Sequence, residues 1–572
     1  MQIHIERVDD IPIIYGLLQK MGIQANIDSV IEPHGHWQGL SPGWVVTIWL
    51  MHILSEHSHC MVPVQEWVRD RLEALQRLTG QVIRELDFTD DRLAICLREL
   101  QKRENWTQIE AGIGRTTIRV FQLQEENTVR FDASNGTVYH NPDQHTLFKV
   151  GKAKNGLYAT QFKLMLASLD PFGFSLVVDV AAGNRADDPL YAPCYQRVKE
   201  TLERNGLLLV GDSKMSALAT RALMVLGHDY YLTPLAHLKD EPQLLEELLQ
   251  GWVGREEEMA LIFLPEDMPT NGDEPDPELA IACGFEVERP RTALVKGQKV
   301  VWRERLLVIR SFGYVQTMQA GLQRRLNKAE KALRALTPPR QRGKRQIKDE
   351  ASLLAAIDRI EKKYRVQGLF DTSYEQEVTE RKIRSYRGKP ARVERKVRFQ
   401  LSVQRNQEAI AQAEFRAGWR IYATNSPQEQ LSLTQGVLVY RDQYIQENVF
   451  RRLQGKILSI TPVYVHRDNH AQGLFHLLTI AARLLALGDY VARQALAAEK
   501  SELDGIYPGN PKRSTATPTT ERMFKTFDNI NLTRVTLAEE SMCQVTLLST
   551  VQQRIVALLG LPLSLYTNLQ NG

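Results

Sequence analysis

The sequence predicts an α/β protein of several domains. A mixed β-sheet core is split by a charged insertion and preceded by a helical region. Three changes of texture carry that prediction. Up to about residue 127 apolar residues recur at spacings of three and four. From 128, short β-rich runs alternate with helical ones. Between 236 and 415 that alternation breaks, and after 416 it resumes.

The front segment, 1–127, contains WVVTIWLMHIL, VQEWVRDRLEALQRL and DDRLAICLREL, with Ser41-Pro42 and Thr89-Asp90 as helix starts. It reads as mainly helical, with Trp44, Trp49 and Trp67 inside apolar runs and so in the core. In 128–235 the runs NTVRFDAS, GTVYH, YATQFKLMLASLD and FGFSLVVDVAAG read as strands, with Asp170-Pro171-Phe172-Gly173 as a hairpin turn. PLYAPCYQRVKETLERNG follows as a helix, GLLLVGD as a buried strand, SALATRALMVLG as a helix and DYYLTPL as a strand. The segment 236–415 holds an acidic, Pro-rich loop, the strands KVVWRERLLVIRSFGY and a charged, mainly helical stretch. Between 321 and 400 there are 23 Lys and Arg against 10 Asp and Glu. Such a run suits either a solvated helical arm or a surface for a DNA backbone. In 416–495, GWRIYATNS is a strand and VLVYRDQYIQENVFRRLQ a helix. The extension 496–572 offers a polar linker, a strand and an amphipathic helix.

With 572 residues, 43% of them hydrophobic and 24% charged, the chain has the composition of a water-soluble globular protein. A net charge of +4 excludes a simple polybasic protein but leaves room for local basic surfaces. The five cysteines are scattered without CxxC spacing, as expected of reduced thiols in the cytoplasm. MQIHIERVDD lacks the apolar stretch of a signal peptide. LFHLLTIAARLLALG, with Arg483 inside it, is too short to span a bilayer and reads as a buried helix. A cytoplasmic protein without a membrane partner is expected.

Two apolar strands stop at a carboxylate. VRFD ends at Asp132, and eighty residues later LLLVGD ends at Asp212. Taken singly, either aspartate reads as a turn or helix-cap residue. Taken together on neighbouring strands, they place two anionic groups at one sheet edge, where their repulsion calls for a divalent cation. Oxygen-only ligation selects Mg²⁺ or Mn²⁺ over zinc. A third carboxylate is available at Glu447. On one continuous helix it would share a face with Tyr440, Gln443, Tyr444, Phe450, Arg451 and Gln454.

The order and spacing of these elements resemble a DDE transposase of a bacterial insertion sequence, in the group marked by a Tyr-x2-Arg-x3-Glu-x6-Lys signature. VRFDAS matches the first aspartate, VGKAKNG and AAGNRADD the elements that follow, and GDSKMSAL the second aspartate. GWRIYATN matches the run before the glutamate. Glu447, Phe450, Arg451 and Leu453 match its E-x-x-F-R-x-L, and TPVYVHRDNHAQGLFHLLTIAARL the closing helix. The resemblance covers most of 125–235 and 415–490. The chain departs from the signature at Gln443 and Gln454, which stand where arginine and lysine are expected.

The resemblance implies a ribonuclease-H-like catalytic core interrupted by an insertion domain. Asp132, Asp212 and Glu447 would be both catalytic residues and ligands for two Mg²⁺ ions, replaceable by Mn²⁺. It further implies hydrolysis at the ends of a DNA element, joining of the 3′-OH ends to target DNA, and a homodimer on paired terminal inverted repeats bound through the front domain. Tyr440, Gln443, Arg451 and Arg452, with Lys152 and Lys154 in the Gly-containing turn, are the candidate DNA contacts. Asn184 and Asp187 read as structural rather than catalytic, and His466 and His470 as polar helix-start or DNA-contact residues rather than metal ligands. Two rivals stay open: a metal-dependent nuclease without strand transfer, and a DNA-binding protein that has lost catalysis.

Overall fold

The opening residues QIHIER alternate polar and apolar and form a strand, β1 (Gln2–Arg7), in a front segment otherwise made of helices. These are α1 (Ile11–Lys20), α2 (Ile23–Asp28), α3 (Pro42–Glu56), α4 (Val62–Arg69), α5 (Leu72–Thr79), α6 (Asp90–Gln101) and α7 (Arg103–Val120). The computed structural model describes residues 1–572 except 154–155, 236–242, 253–254, 270–272, 340–346, 384–391, 538–539 and 571–572. Helix α3 starts where Ser41-Pro42 predicts, with the Ser41 hydroxyl accepting from the Trp44 N–H. Trp49 and Trp67 are buried, and Trp44 packs against the same core.

The sheet begins with β2 (Thr128–Thr137), β3 (Lys149–Lys152), β4 (Tyr158–Leu169) and β5 (Phe174–Ala182). It continues through α8 (Asp188–Leu202), β6 (Leu208–Gly211), α9 (Leu218–Leu226) and β7 (Tyr230–Pro234). This is the predicted succession of hairpin strands followed by helix, strand, helix and strand, with β3 added. Strand β2 pairs antiparallel to β4 and parallel to β6, and β6 pairs parallel to β7.

The segment expected as one insertion divides in two. After α10 (Leu244–Gln250), strands β8 (Ala260–Ile262), β9 (Ala282–Val295) and β10 (Gln298–Ser311) join the main sheet through β13 (Trp419–Thr424), giving ten strands in all. Among the described residues α11 (Phe312–Arg334), α12 (Glu350–Tyr364) and the ribbon of β11 (Phe370–Ile383) with β12 (Arg392–Arg405) build a small core of their own, joined by Ile410. The stretch read as mainly helical is thus half ribbon. Its signal is VRFQLSV, whose period of two places Phe399, Leu401 and Val403 on one face against α11 and α12.

Helix α13 (Gln407–Phe415) leads into β13. Then follow α14 (Leu433–Arg441), α15 (Tyr444–Gln454) and α16 (Asp468–Glu499). Helix α16 has the length and hydropathy to cross a membrane but is buried along most of its length. Its Arg483, 0% exposed, pairs with Glu110 of α7, which also pairs with Arg197 of α8. The chain ends with α17 (Thr520–Phe524), β14 (Asn531–Leu537), β15 (Glu540–Val545), α18 (Thr550–Leu558) and α19 (Ser564–Thr567). Strand β14 pairs with β1, so front and end share one sheet.

One ion pair fixes how the helices meet this sheet. Arg130 of β2 is 2% exposed and grips Asp170, in the β4–β5 turn, through two hydrogen bonds of 2.7 Å. Its remaining arm donates to the Val439 carbonyl of α14 at 2.7 Å. Replacing Arg130 by Met leaves the Asp170 carboxylate buried without its cation. We expect a loss of about 3–5 kcal/mol in urea denaturation. Arg130→Met/Asp170→Asn should lose less than the two single variants together, and a single-variant loss below about 1 kcal/mol would contradict this role.

Candidate active site

The β2–β6 register pairs Phe131 with Gly211, so Asp132 and Asp212 are the next residue on each of two parallel neighbours. Strands in that relation lie about 4.8 Å apart. Alternation puts both aspartates on the face that carries Arg130 and Val210, the face on which α14 packs.

Local hydrogen bonds orient each carboxylate. Asp132 Oδ1 accepts from the Ala133 N–H at 2.8 Å. Asp212 Oδ1 accepts from the Lys214 N–H at 2.9 Å and from the Tyr191 hydroxyl at 2.6 Å. Thr233 of β7 donates to the Asp212 carbonyl at 2.8 Å and fixes its backbone. Tyr191 comes from α8 and is buried. Burial pushes its phenol upward, and the charges of Asp212 and Asp132 push it further, so it stays a donor.

Glu447 approaches from the other side. It is exposed, in the first turn of α15, where the helix dipole favours a carboxylate. A cavity of about 520 Å³ is lined by Asp132 and Ser134 of β2 together with Glu447, Phe450, Arg451, Gln454 and Gly455. The Ser134 hydroxyl is buried there without a hydrogen-bond partner among the described residues. The Gln454 amide donates to the Asn135 carbonyl at 3.4 Å and ties the end of α15 to β2.

The three carboxylates do not meet within 4.8 Å of one another. Among the described residues the group that does is His4, Glu6 and Glu73. There Glu73 is already paired with Arg77 and Arg534. The wider spacing of Asp132, Asp212 and Glu447 does not suit one shared ion.

The single helix expected from residue 437 to 454 is broken. Helix α14 ends at Arg441, and α15 starts after Gln443. Tyr440 therefore does not share a helix face with Glu447. It reaches the site from α14 instead, its ring 4.7 Å from that of Tyr422. Burial pushes the Tyr440 phenol upward, and the fields of Asp212 and Asp132 add to the shift. Gln443 sits half-buried at the cap position of α15.

Arg451 is exposed and lines the cavity. Arg452 is turned away, with its guanidinium on Asp489 at 2.6 Å and Glu521 at 2.9 Å. That saturates its charge and removes it from the expected DNA contacts. Lys152 ends β3 with its side chain exposed, and Lys154 lies outside the described residues.

Asp187 pairs with Lys163, and Asn184 stands in the turn after β5. His466 and His470 join no ligand cluster among the described residues. Sequence reasoning missed Arg130, Tyr191 and Ser134. Arg130 had a signal, a cation inside the apolar run VRF. Tyr191 had none, because only the packing of α8 brings it to Asp212.

Residues 3–111 match a family model described as a domain of unknown function, DUF4277. No curated protein matches the chain. Among solved structures it is similar to a piggyBac transposase synaptic complex with hairpin DNA seen by cryo-EM. Identity is 8%, with 92% of this chain and 82% of that chain covered at a TM-score of 0.34, an overlay that decides nothing about the site.

The neighbouring arginines separate in a stability measurement. Arg452→Ala leaves Glu521 without its cation and Asp489 with Arg493 alone, and should cost about 3 kcal/mol in chemical denaturation. Arg451→Ala, at an exposed position, should stay within about 0.5 kcal/mol of the parent. Equal losses would contradict the assignment.

Proposed function

We propose that the chain is a DNA transposase that cuts the ends of an insertion sequence and joins them to new DNA. One observation carries the reading. Asp132, midway along β2, and Asp212, the residue after β6, stand in matched register on neighbouring parallel strands, and Glu447 lines one cavity with Asp132. The mixed sheet with α8 and α9 supports a ribonuclease-H-like core, and the α11–β12 unit supports an insertion ahead of the glutamate.

The donor set suits Mg²⁺ or Mn²⁺. It consists of carboxylate oxygens, beside the buried Ser134 hydroxyl, which has no hydrogen-bond partner among the described residues. Asp132, Asp212 and Glu447 would hold the metal. When bound, a pair of such ions activates the attacking oxygen and offsets charge on the leaving oxygen.

The chain's own groups supply the rest. Tyr191 holds Asp212 in orientation, Phe450 walls the cavity, and Arg451 is placed to meet a phosphate. Water adds to phosphorus as the P–O3′ bond breaks, which leaves a 5′-phosphate and a free 3′-OH. That hydroxyl then attacks a phosphodiester of target DNA, forming a new P–O3′ bond as the target's own P–O3′ bond breaks and its 3′-OH leaves. A homodimer on paired inverted repeats, working in the cytoplasm, completes the proposal.

The test is a plasmid carrying the gene with its native flanking DNA, incubated with the protein and Mg²⁺. We expect cuts at the element's ends, joined products, loss of both with EDTA and recovery with Mn²⁺. Asp132→Ala, Asp212→Ala and Glu447→Ala should each abolish cutting while DNA binding survives. Nicked DNA that is never joined would reduce the reading to a nuclease. Activity persisting in one variant would remove that residue from the site.

A further inference from the structure

Continuing the β2–β6 and β6–β7 registers sets Asp132, Asp212 and Pro234 in one row, and Pro234 pairs with Tyr422 of β13. Strand β13 runs antiparallel to β7. Arg420, two residues before Tyr422, therefore lies beyond that row on the side where β2, β6 and β7 end. It shares a face with Tyr422 and hence with the carboxylates. Three strand spacings put Tyr422 roughly 14 Å from Asp132, a span that a few nucleotides of one strand cover.

Arg420 is exposed, yet held in place. Its guanidinium lies 4.6 Å from the ring centroid of Tyr314 in α11, and on the strand face it is the neighbour of Tyr422. Arg130, Arg305 and Arg452 are each matched to a carboxylate. Arg420 has the Tyr314 ring instead and no carboxylate partner among the described residues, which leaves its charge for something outside the chain. From Tyr314 the stripe at spacings of three and four along α11 runs through Thr317 and Gly321 to Arg324, Lys328 and Lys331. All three cations are exposed, without an ion pair among the described residues.

We infer that Arg420 anchors a backbone phosphate of the DNA strand leaving the carboxylates, and that Arg324, Lys328 and Lys331 carry that strand outward along α11. The inference rests on the transposase reading for the direction of the strand. An Arg fork on a phosphate is bidentate and insensitive to base identity.

The probe is a fluorescein-labelled duplex from the DNA flanking the chain's own gene, titrated by anisotropy over a range of KCl. Each lost phosphate contact lowers the slope of log affinity against log salt by about 0.9. Arg420→Gln should lower it by about one and weaken binding about tenfold. Arg324→Gln/Lys328→Gln/Lys331→Gln should lower it by about three. A duplex of scrambled sequence should lose the same factor.

Arg420→Gln with wild-type slope and affinity and an unchanged melting temperature overturns the anchor. The same result for the triple variant overturns the track. Repeating the comparison in an Asp132→Ala background separates the two readings. Wild-type protein that binds but never cuts would sink the enzyme while the slope difference still upheld the contacts. Wild-type protein that does not bind the duplex overturns both.

Discussion

Arg130 lies two residues before Asp132 on the same strand face, and its guanidinium touches the three pieces whose relative placement the site needs. Its backbone belongs to β2, two arms hold the β4–β5 turn through Asp170, and the third holds the end of α14 through a carbonyl. The fork is planar and its donors have fixed directions, so it sets angles as well as distances. A lysine would hold Asp170 as a point charge and leave α14 unattached. Since α15 follows α14 after a short turn, the position of Glu447 relative to Asp132 depends on this one side chain. Two buried charges are costly to desolvate, and such a pair adds little net stability over an apolar substitute. What it supplies here is geometry.

A second charged cluster does the same for the far edge of the sheet. Glu110 of α7 holds Arg483 of α16 and Arg197 of α8, and Arg197 also reaches Asp179 of β5. Glu110 further accepts the Val178 N–H at 3.1 Å, which satisfies an edge-strand donor that pairs with no other strand. Beside it Trp106 and His476 stack with centroids 4.2 Å apart, and burial holds the imidazole neutral, down to about 3. The front helices and α16 are thereby clamped to the sheet, and one apolar core runs from α1 through the strands to α19. The rim at Asp132 and Asp212 inherits that rigidity.

What could be read in the sequence follows the range of the signals. The runs around Asp132 and Asp212 are local: an apolar strand, then a carboxylate, then small residues. The succession of strands and helices from 128 to 235 was legible for the same reason. The ribbon in the charged segment carried a period-two pattern in VRFQLSV, but its high charge masked it. The break between α14 and α15 was not legible, because Asp442 and Gln443 are ordinary helix residues and only the different surfaces met by the two helices separate them. Arg452 was misassigned on the same ground. Its partners Asp489 and Glu521 lie 37 and 69 residues away, and no local pattern distinguishes it from Arg451. Strand β1 pairs with β14 across nearly the whole chain, so its partner was beyond any window.

That break also accounts for the two glutamines that stand where cations were expected. Had residues 437–454 formed one helix, Gln443 and Gln454 would line a single face with Glu447 and compete for phosphate. With the helix broken, Gln443 occupies a half-buried cap position, where a guanidinium would have to be desolvated without a partner. Gln454 donates to the Asn135 carbonyl and fastens α15 to the strand that bears Asp132. An amide makes that bond while neutral, whereas an ammonium there would set a positive charge near Asp132, which the proposed function assigns to metal binding. For the transposase proposed above, positive charge would be carried instead by Arg451 on the cavity wall and by Arg420. Arg451 is exposed in the cavity that Asp132 lines, and Arg420 is exposed three strands away on the same face.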